Sequence, residues 1–185
     1  IAAAGYIIND IYDVETDKIN KSEKLIIGKS IPSRVAISWY YFLNTLAILM
    51  GTYLSFKIGE PYLVFIFIFF VFSLWKYSKT YKNSFLIGNI LVSFITSISV
   101  LNVFLFDVFP IHERCDRVIL FVIIFYTIFS FLISLSREII KDLEDLKGDK
   151  IQNSNNLVIN LGIVKSRNIV TFINSFLFII IIVWQ

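Results

Sequence analysis

The chain has 185 residues, 57% of them hydrophobic, and a mean hydropathy of +0.75; soluble domains carry about 45–50% apolar residues even with Gly counted, so an ordinary water-soluble globule is excluded. The net charge of +3 does not point to nucleic acid, because the basic residues are scattered over the same segments that hold the acids. The single cysteine, Cys115, excludes a disulfide within the chain.

Residues 1–8 are apolar and lack a basic leader. They read as the tail of an interrupted helix rather than a signal peptide. The chain opens on Ile1 and ends at Gln185 inside an apolar run, so it reads as a fragment of a larger bundle, with its last helix cut. The stub runs into Asn9-Asp10-Ile11-Tyr12-Asp13-Val14-Glu15-Thr16-Asp17. Five apolar runs follow, at 35–56, 61–75, 84–106, 118–136 and 168–185. A helix needs roughly 20 apolar residues to cross a bilayer core, which makes the second run short. Many of these residues are β-branched, but in lipid each backbone group must be paired within its segment, so helices are expected. The fourth run leads into Arg137-Glu138-Ile139-Ile140-Lys141-Asp142-Leu143-Glu144-Asp145-Leu146-Lys147-Gly148-Asp149. The fold class is therefore all-α, a polytopic transmembrane bundle forming one domain over 1–185. No fixed-period repeat is visible, although the similar placement of the two acidic stretches suggests a duplicated helix–loop unit.

Lys and Arg set the orientation. Lys18, Lys21, Lys24, Lys29 and Arg34 lie in one loop, Lys76, Lys79 and Lys82 in the next loop on that side, and six more between Arg137 and Arg167. Only Lys57, Arg114 and Arg117 fall on the other side. Fourteen of seventeen basic residues thus mark the cytoplasmic face, and both acidic stretches share it. An integral, multi-pass cell-membrane protein with a cytoplasmic-side site is expected.

Nine of the fourteen carboxylates lie in the two stretches. On a helix turning about 100° per residue, with Asn9 at zero, Asp13 falls at about 40°, Asp17 at about 80° and Asp10 at about 100°, while Glu15 points away. By the same arithmetic Glu138, Asp142, Asp145 and Asp149 fall within about 60°, with Glu144 on the other side and Gly148 positioned to break the helix before Asp149. Carboxylates gathered on one face repel unless a cation sits among them. All-oxygen donors with no neighbouring His or Cys suit Mg²⁺, which one or two carboxylates hold together with substrate phosphates. The competing reading of either cluster alone is a solvated face laced with i,i+4 ion pairs.

The run Asn9-Asp10-x-x-Asp13-x-x-x-Asp17 resembles the first aspartate motif of the UbiA-type intramembrane prenyltransferases, and Asp145-x-x-x-Asp149 resembles their second. Lys29-Ser30-Ile31-Pro32-Ser33 is similar to the family's basic-x-x-Pro-Ser segment, with Arg34 where Gly is common. Tyr77-Ser78-Lys79-Thr80-Tyr81-Lys82 is similar to its Tyr- and Lys-bearing loop at altered spacing, which leaves Lys79 and Lys82 both open as the functional lysine. Leu86-Ile87-Gly88-Asn89 resembles the Gly-Asn start of the next helix. The stretch from Arg137 to Asp149 looks closest to the branch that makes ether lipids by prenylating geranylgeranylglyceryl phosphate.

That resemblance implies Mg²⁺-dependent transfer of a prenyl group from a prenyl diphosphate to a lipophilic acceptor, with release of pyrophosphate. The acceptor is geranylgeranylglyceryl phosphate or an aromatic or quinone precursor. It implies Asn9, Asp13, Asp17, Asp145 and Asp149 as metal ligands, and Asp10, Lys141, Asn89 and Asp142 as substrate-binding groups. Lys82, Lys79 and Tyr77 become the catalytic candidates, with Tyr81 a second cation-stabilising aromatic. Positive-inside anchoring is the competing account of the lysines. His112, beside Glu113, Arg114 and Asp116, reads as a solvated loop residue. Asn102 and Asn174 read as hydrogen-bonding glue between helices. The partners are the two substrates and membrane lipid, with no nucleic acid and with the oligomeric state left open. The rival function is a divalent-cation channel or transporter with an acidic cytoplasmic mouth; a transporter places polar groups near the midplane, where this chain has no ionisable residue.

Overall fold

The computed structural model describes residues 1–20, 22–23, 25–108, 117–151 and 154–184, the last as backbone only. Among them the chain is helical, with an isolated bridge between Ile27 and Ile31 and no longer strand. Five helices are long and apolar enough to cross a membrane: Ser33–Ile58, Pro61–Lys79, Ile87–Val108, Arg117–Glu144 and Ile163–Val183. They match the five expected runs in number and order. Each reaches further at one or both ends, because backbone hydrogen bonding continues into the polar residues flanking an apolar run. The second, short by its apolar run alone, is completed by the turn through Lys76 and Lys79.

The chain divides into two compact units. The first comprises 1–82 and 147–153. It contains α1 (Ala2–Asn20), α2 (Ser33–Ile58), a 3₁₀ turn at Pro61–Leu63 and α3 (Val64–Lys79). Each of α1, α2 and α3 touches the other two. Their common core is Ala4, Ile8 and Tyr40, packed by Ile7, Ile11, Leu43 and Trp75. Gly59 ends α2 in the left-handed conformation, φ 88°, which glycine adopts without a side-chain penalty. Outward-facing Trp39, Phe42, Met50, Tyr53 and Phe65 are more than half exposed, which is the pattern of a lipid-facing surface.

The second unit comprises 83–146 and 154–185. Here α4 (Ile87–Val103), a π-helical turn (Phe104–Val108), α5 (Arg117–Glu144), α7 (Leu157–Leu161) and α8 (Ile163–Trp184) follow one another; α6 (Leu146–Ile151) bridges the unit boundary in sequence. The core is Ile139, Leu157, Val158, Val170, Ile173 and Leu177. Asn174 serves as glue, as expected: its Oδ1 accepts from Ser136 Oγ at 2.9 Å, tying α8 to α5. The expectation is not met at Asn102, whose buried Oδ1 finds no hydrogen-bond donor among the described residues.

One sequence expectation is corrected by this chain path. Glu138, Asp142, Asp145 and Asp149 do not share one helix. α5 closes at Glu144, the backbone bends at Asp145, and Asp149 sits in the separate helix α6. The break comes before Gly148, not after it. Gly148 lies inside α6 for a different reason, given below.

Candidate active site

The site in the first unit is built on α1. Setting Asn9 at zero, Asp13, Thr16 and Asn20 fall at about +40°, −20° and +20°, so the 4-3-4 spacing draws one polar stripe down the helix. Asp13 and Thr16 are buried; Asp17 is half-buried at the edge of the stripe; Asp10 is exposed. Glu15 points to solvent and pairs with Lys18 at 2.6 Å, as the wheel requires. Asn9 Nδ2 donates to Asp13 Oδ2 at 2.5 Å. Lys82 Nζ forms an ion pair with the same oxygen.

The two lysines left open by sequence sit in different surroundings. Lys82 joins Asp13, with side chains only 16% and 10% exposed, whereas Lys79 is exposed and lies over the Trp75 ring at 4.9 Å. Tyr77 is buried at the end of α3. Tyr81 carries Lys76 over its ring at 5.9 Å. The cation demanded among clustered carboxylates is, in this chain, first of all the Lys82 ammonium.

Asp149 belongs to the same unit through α6. It is buried. The preceding residue, Gly148, donates its backbone N–H to Asn20 Oδ1 at 2.8 Å. A Cβ on Gly148 would lie 2.5 Å from Asn20 Nδ2 and 2.8 Å from Thr16 Cγ2. Gly148 is thus a close-approach residue against the α1 stripe. The sequence expectation left out Thr16 and Asn20 and took Gly148 as a helix break; the 4-3-4 spacing of Asn9, Asp13, Thr16 and Asn20 on α1 was the available signal for the first two.

In the second unit Asn89 is buried in the first turn of α4 and its Nδ2 donates to Asp142 Oδ2 on α5 at 2.8 Å. Leu86, just before, holds φ 59°, a left-handed conformation rare for a non-glycine residue. Such strain marks constrained positions near functional groups, and here it orients the start of α4. Asp145 is buried, Glu138 is buried with Arg137 at 3.3 Å, Lys141 is half-buried, and Glu144 is exposed as expected. Replacing Asn89 with Ala is expected to lower the stability of the full-length protein by about 1 kcal/mol, read from denaturant unfolding in nanodiscs, with Asp142→Asn milder because it keeps an acceptor.

The donor set fits a magnesium ion. The buried Oδ1 of Asn9 has no hydrogen-bond donor among the described residues, and the same side chain's Nδ2 is bound to the Asp13 carboxylate. No three or more His, Cys, Asp or Glu side chains converge among the described residues. His112, Glu113, Arg114, Cys115 and Asp116, and likewise Lys21 and Lys24, lie outside the described residues.

Comparison with known proteins agrees with the motifs. The family model described as the UbiA prenyltransferase family matches residues 1–185. A digeranylgeranylglyceryl phosphate synthase of Sulfolobus acidocaldarius is 34% identical over 163 residues, covering 88% of this chain and 54% of that protein. One of Saccharolobus solfataricus is 34% identical over 181 residues, covering 97% of this chain and 60% of that protein. A solved structure described as concerning digeranylgeranylglyceryl phosphate synthase in membranes matches with a TM-score of 0.60 and 29% identity, over 92% of this chain and 56% of that one. The chain therefore spans roughly half to three-fifths of the length of the curated relatives it matches.

Proposed function

The chain belongs to the UbiA prenyltransferase family, and from that membership we propose that it forms part of an enzyme that transfers a prenyl group from a prenyl diphosphate to geranylgeranylglyceryl phosphate. The observation that carries the proposal is the buried Asp13 carboxylate, held between Asn9 and Lys82 on the polar stripe of α1. The synthase relatives support the glyceryl phosphate acceptor over an aromatic or quinone precursor.

In this reading Asn9, Asp13, Asp17 and Asp149 would hold Mg²⁺. Asp145 is assigned to the metal, and Asp142, Asn89, Lys141 and Asp10 to substrate, on the motifs they belong to. Mg²⁺, when bound, offsets the negative charge that grows on the leaving diphosphate. Asn9 contributes an acceptor oxygen that has no donor among the described residues. Asp13 keeps the Lys82 ammonium at the site, where it meets diphosphate oxygens as a point charge. The buried Tyr77 presents a ring to the allylic cation as the C1–oxygen bond of the donor breaks. The acceptor hydroxyl oxygen then bonds to C1, and its proton passes to the departing diphosphate. The apolar helices exclude water, which would otherwise capture the cation as an alcohol. The distribution of Lys and Arg supports a site that faces the cytoplasm.

The test uses full-length protein in membranes with Mg²⁺, labelled geranylgeranyl diphosphate and geranylgeranylglyceryl phosphate. Pyrophosphate release that needs the acceptor and stops when EDTA removes the metal is the expected result. Asp145→Ala is expected to lower it by about 10–100-fold. Release indifferent to EDTA sinks the metal assignment, and cation flux without product supports the channel instead.

A further inference from the structure

Helix α6 contains only the six residues Leu146–Ile151, far below the length at which a helix is stable alone. Something outside it must hold it in place. The first four N–H groups of any helix lack partners within it, and Gly148, the third residue of α6, sends its N–H to Asn20 Oδ1. Asn20 thus caps α6 from the end of another helix. Glycine is among the poorest helix formers, so its place inside so short a helix needs a compensating reason. The reason is space: Asn20 and Thr16 occupy the volume a side chain would take. Thr16 is itself buried.

We propose that Asn20, Thr16 and Gly148 form a clasp whose function is to position the Asp149 carboxylate beside the Asp13 face of α1, so that metal affinity depends on residues that are not themselves ligands. The clasp rests on the metal–diphosphate reading above. Asn20 lies seven residues along α1 from Asp13, about 10 Å at 1.5 Å per residue. Asp149, next to Gly148, is therefore tethered within a span that a diphosphate with its ions can bridge. Asn20, Thr16 and Gly148 are positioning residues in this proposal: Asn20 Oδ1 accepts from the Gly148 N–H, and Thr16 and Asn20 close the space over Gly148.

The experiment measures Mn²⁺ binding to the full-length protein in nanodiscs by electron paramagnetic resonance, with inorganic pyrophosphate and without prenyl substrate. Asn20→Ala, which adds no bulk, and Gly148→Ala are expected to weaken Mn²⁺ binding by about tenfold or more, with an unchanged far-ultraviolet helical signal. Asn20→Asp, which keeps the acceptor oxygen, is expected to bind at least as well as the unaltered protein. In turnover, Asn20→Ala raises the Mg²⁺ concentration needed for half-maximal rate while the donor KM at saturating Mg²⁺ stays put, a split that a merely packing role does not produce. Should Gly148→Ala fail to fold, Asn20→Ala decides alone. Mn²⁺ affinity unchanged in folded Asn20→Ala overturns the clasp and leaves the enzyme reading intact. Absence of Mn²⁺ binding by the unaltered protein with pyrophosphate overturns both.

Discussion

Replacing Asp13 with Ala in the full-length protein is expected to lower pyrophosphate release by about 10²–10³-fold, the loss typical when a preorganised electrostatic contact to developing charge is removed. The reason is that one carboxylate holds two partners: Asn9 and Lys82 both contact Asp13 Oδ2. Truncation removes the proposed metal ligand and also strands an ammonium in a largely buried place. Breaking a buried pair from one side costs about 3–5 kcal/mol, so a loss of turnover in the single variant mixes chemistry with stability. The double variant Asp13→Ala with Lys82→Met separates them. With both charges gone, the melting temperature recovers towards that of the unaltered protein, while pyrophosphate release stays low. Recovery of release in the double variant would show that Asp13 matters only as the counter-ion of Lys82.

The same pair shows what sequence conveys and where it stops. The five crossings were legible because apolar length is a property of consecutive residues, and lipid permits no alternative to the helix. The α1 face was legible because i,i+4 spacing needs only one helix. Glu15 on α1 and Glu144 at the end of α5 were rightly set outside their own clusters, since direction on a helix follows from counting. The choice between Lys79 and Lys82 was not legible. Their three-residue separation straddles the end of α3 at Lys79, so the position of Lys82 depends on the 3₁₀ turn that follows. The bend at Asp145 was hidden for a related reason: the stretch from Arg137 to Asp149 carries good helix formers throughout, and Gly148 was the only break signal in it. Gly148 turned out to answer to Thr16 and Asn20, more than 120 positions away in sequence. A glycine states that a side chain is unwelcome; it does not state whether backbone curvature or a neighbour is the cause.

Gly51 makes that ambiguity measurable, and its substitution is the other large effect expected. A Cβ at Gly51 on α2 would meet ring atoms of Phe67 on α3 at 2.6–2.8 Å, closer than real carbon contacts. Ser55, one turn on and fully buried, returns its hydroxyl to Gly51 O at 2.8 Å, so the two small residues give α2 a smooth face of the small-xxx-small kind. Gly51→Ala is therefore expected to destabilise the full-length protein by about 1–3 kcal/mol through overpacking, measured by denaturant unfolding in nanodiscs. The sign should reverse when Phe67 is first cut to Ala. With the ring gone, the clash is gone too, and alanine is favoured over glycine in a helix by about 0.5–1 kcal/mol. A destabilisation of the same size in both backgrounds would mean that Gly51 answers to something other than Phe67. Because α1 rests on both α2 and α3, the spacing set at Gly51 also bears on the helix that carries Asp13. A loss of Mg²⁺-dependent turnover in Gly51→Ala that disappears in Gly51→Ala with Phe67→Ala would trace that dependence through the bundle.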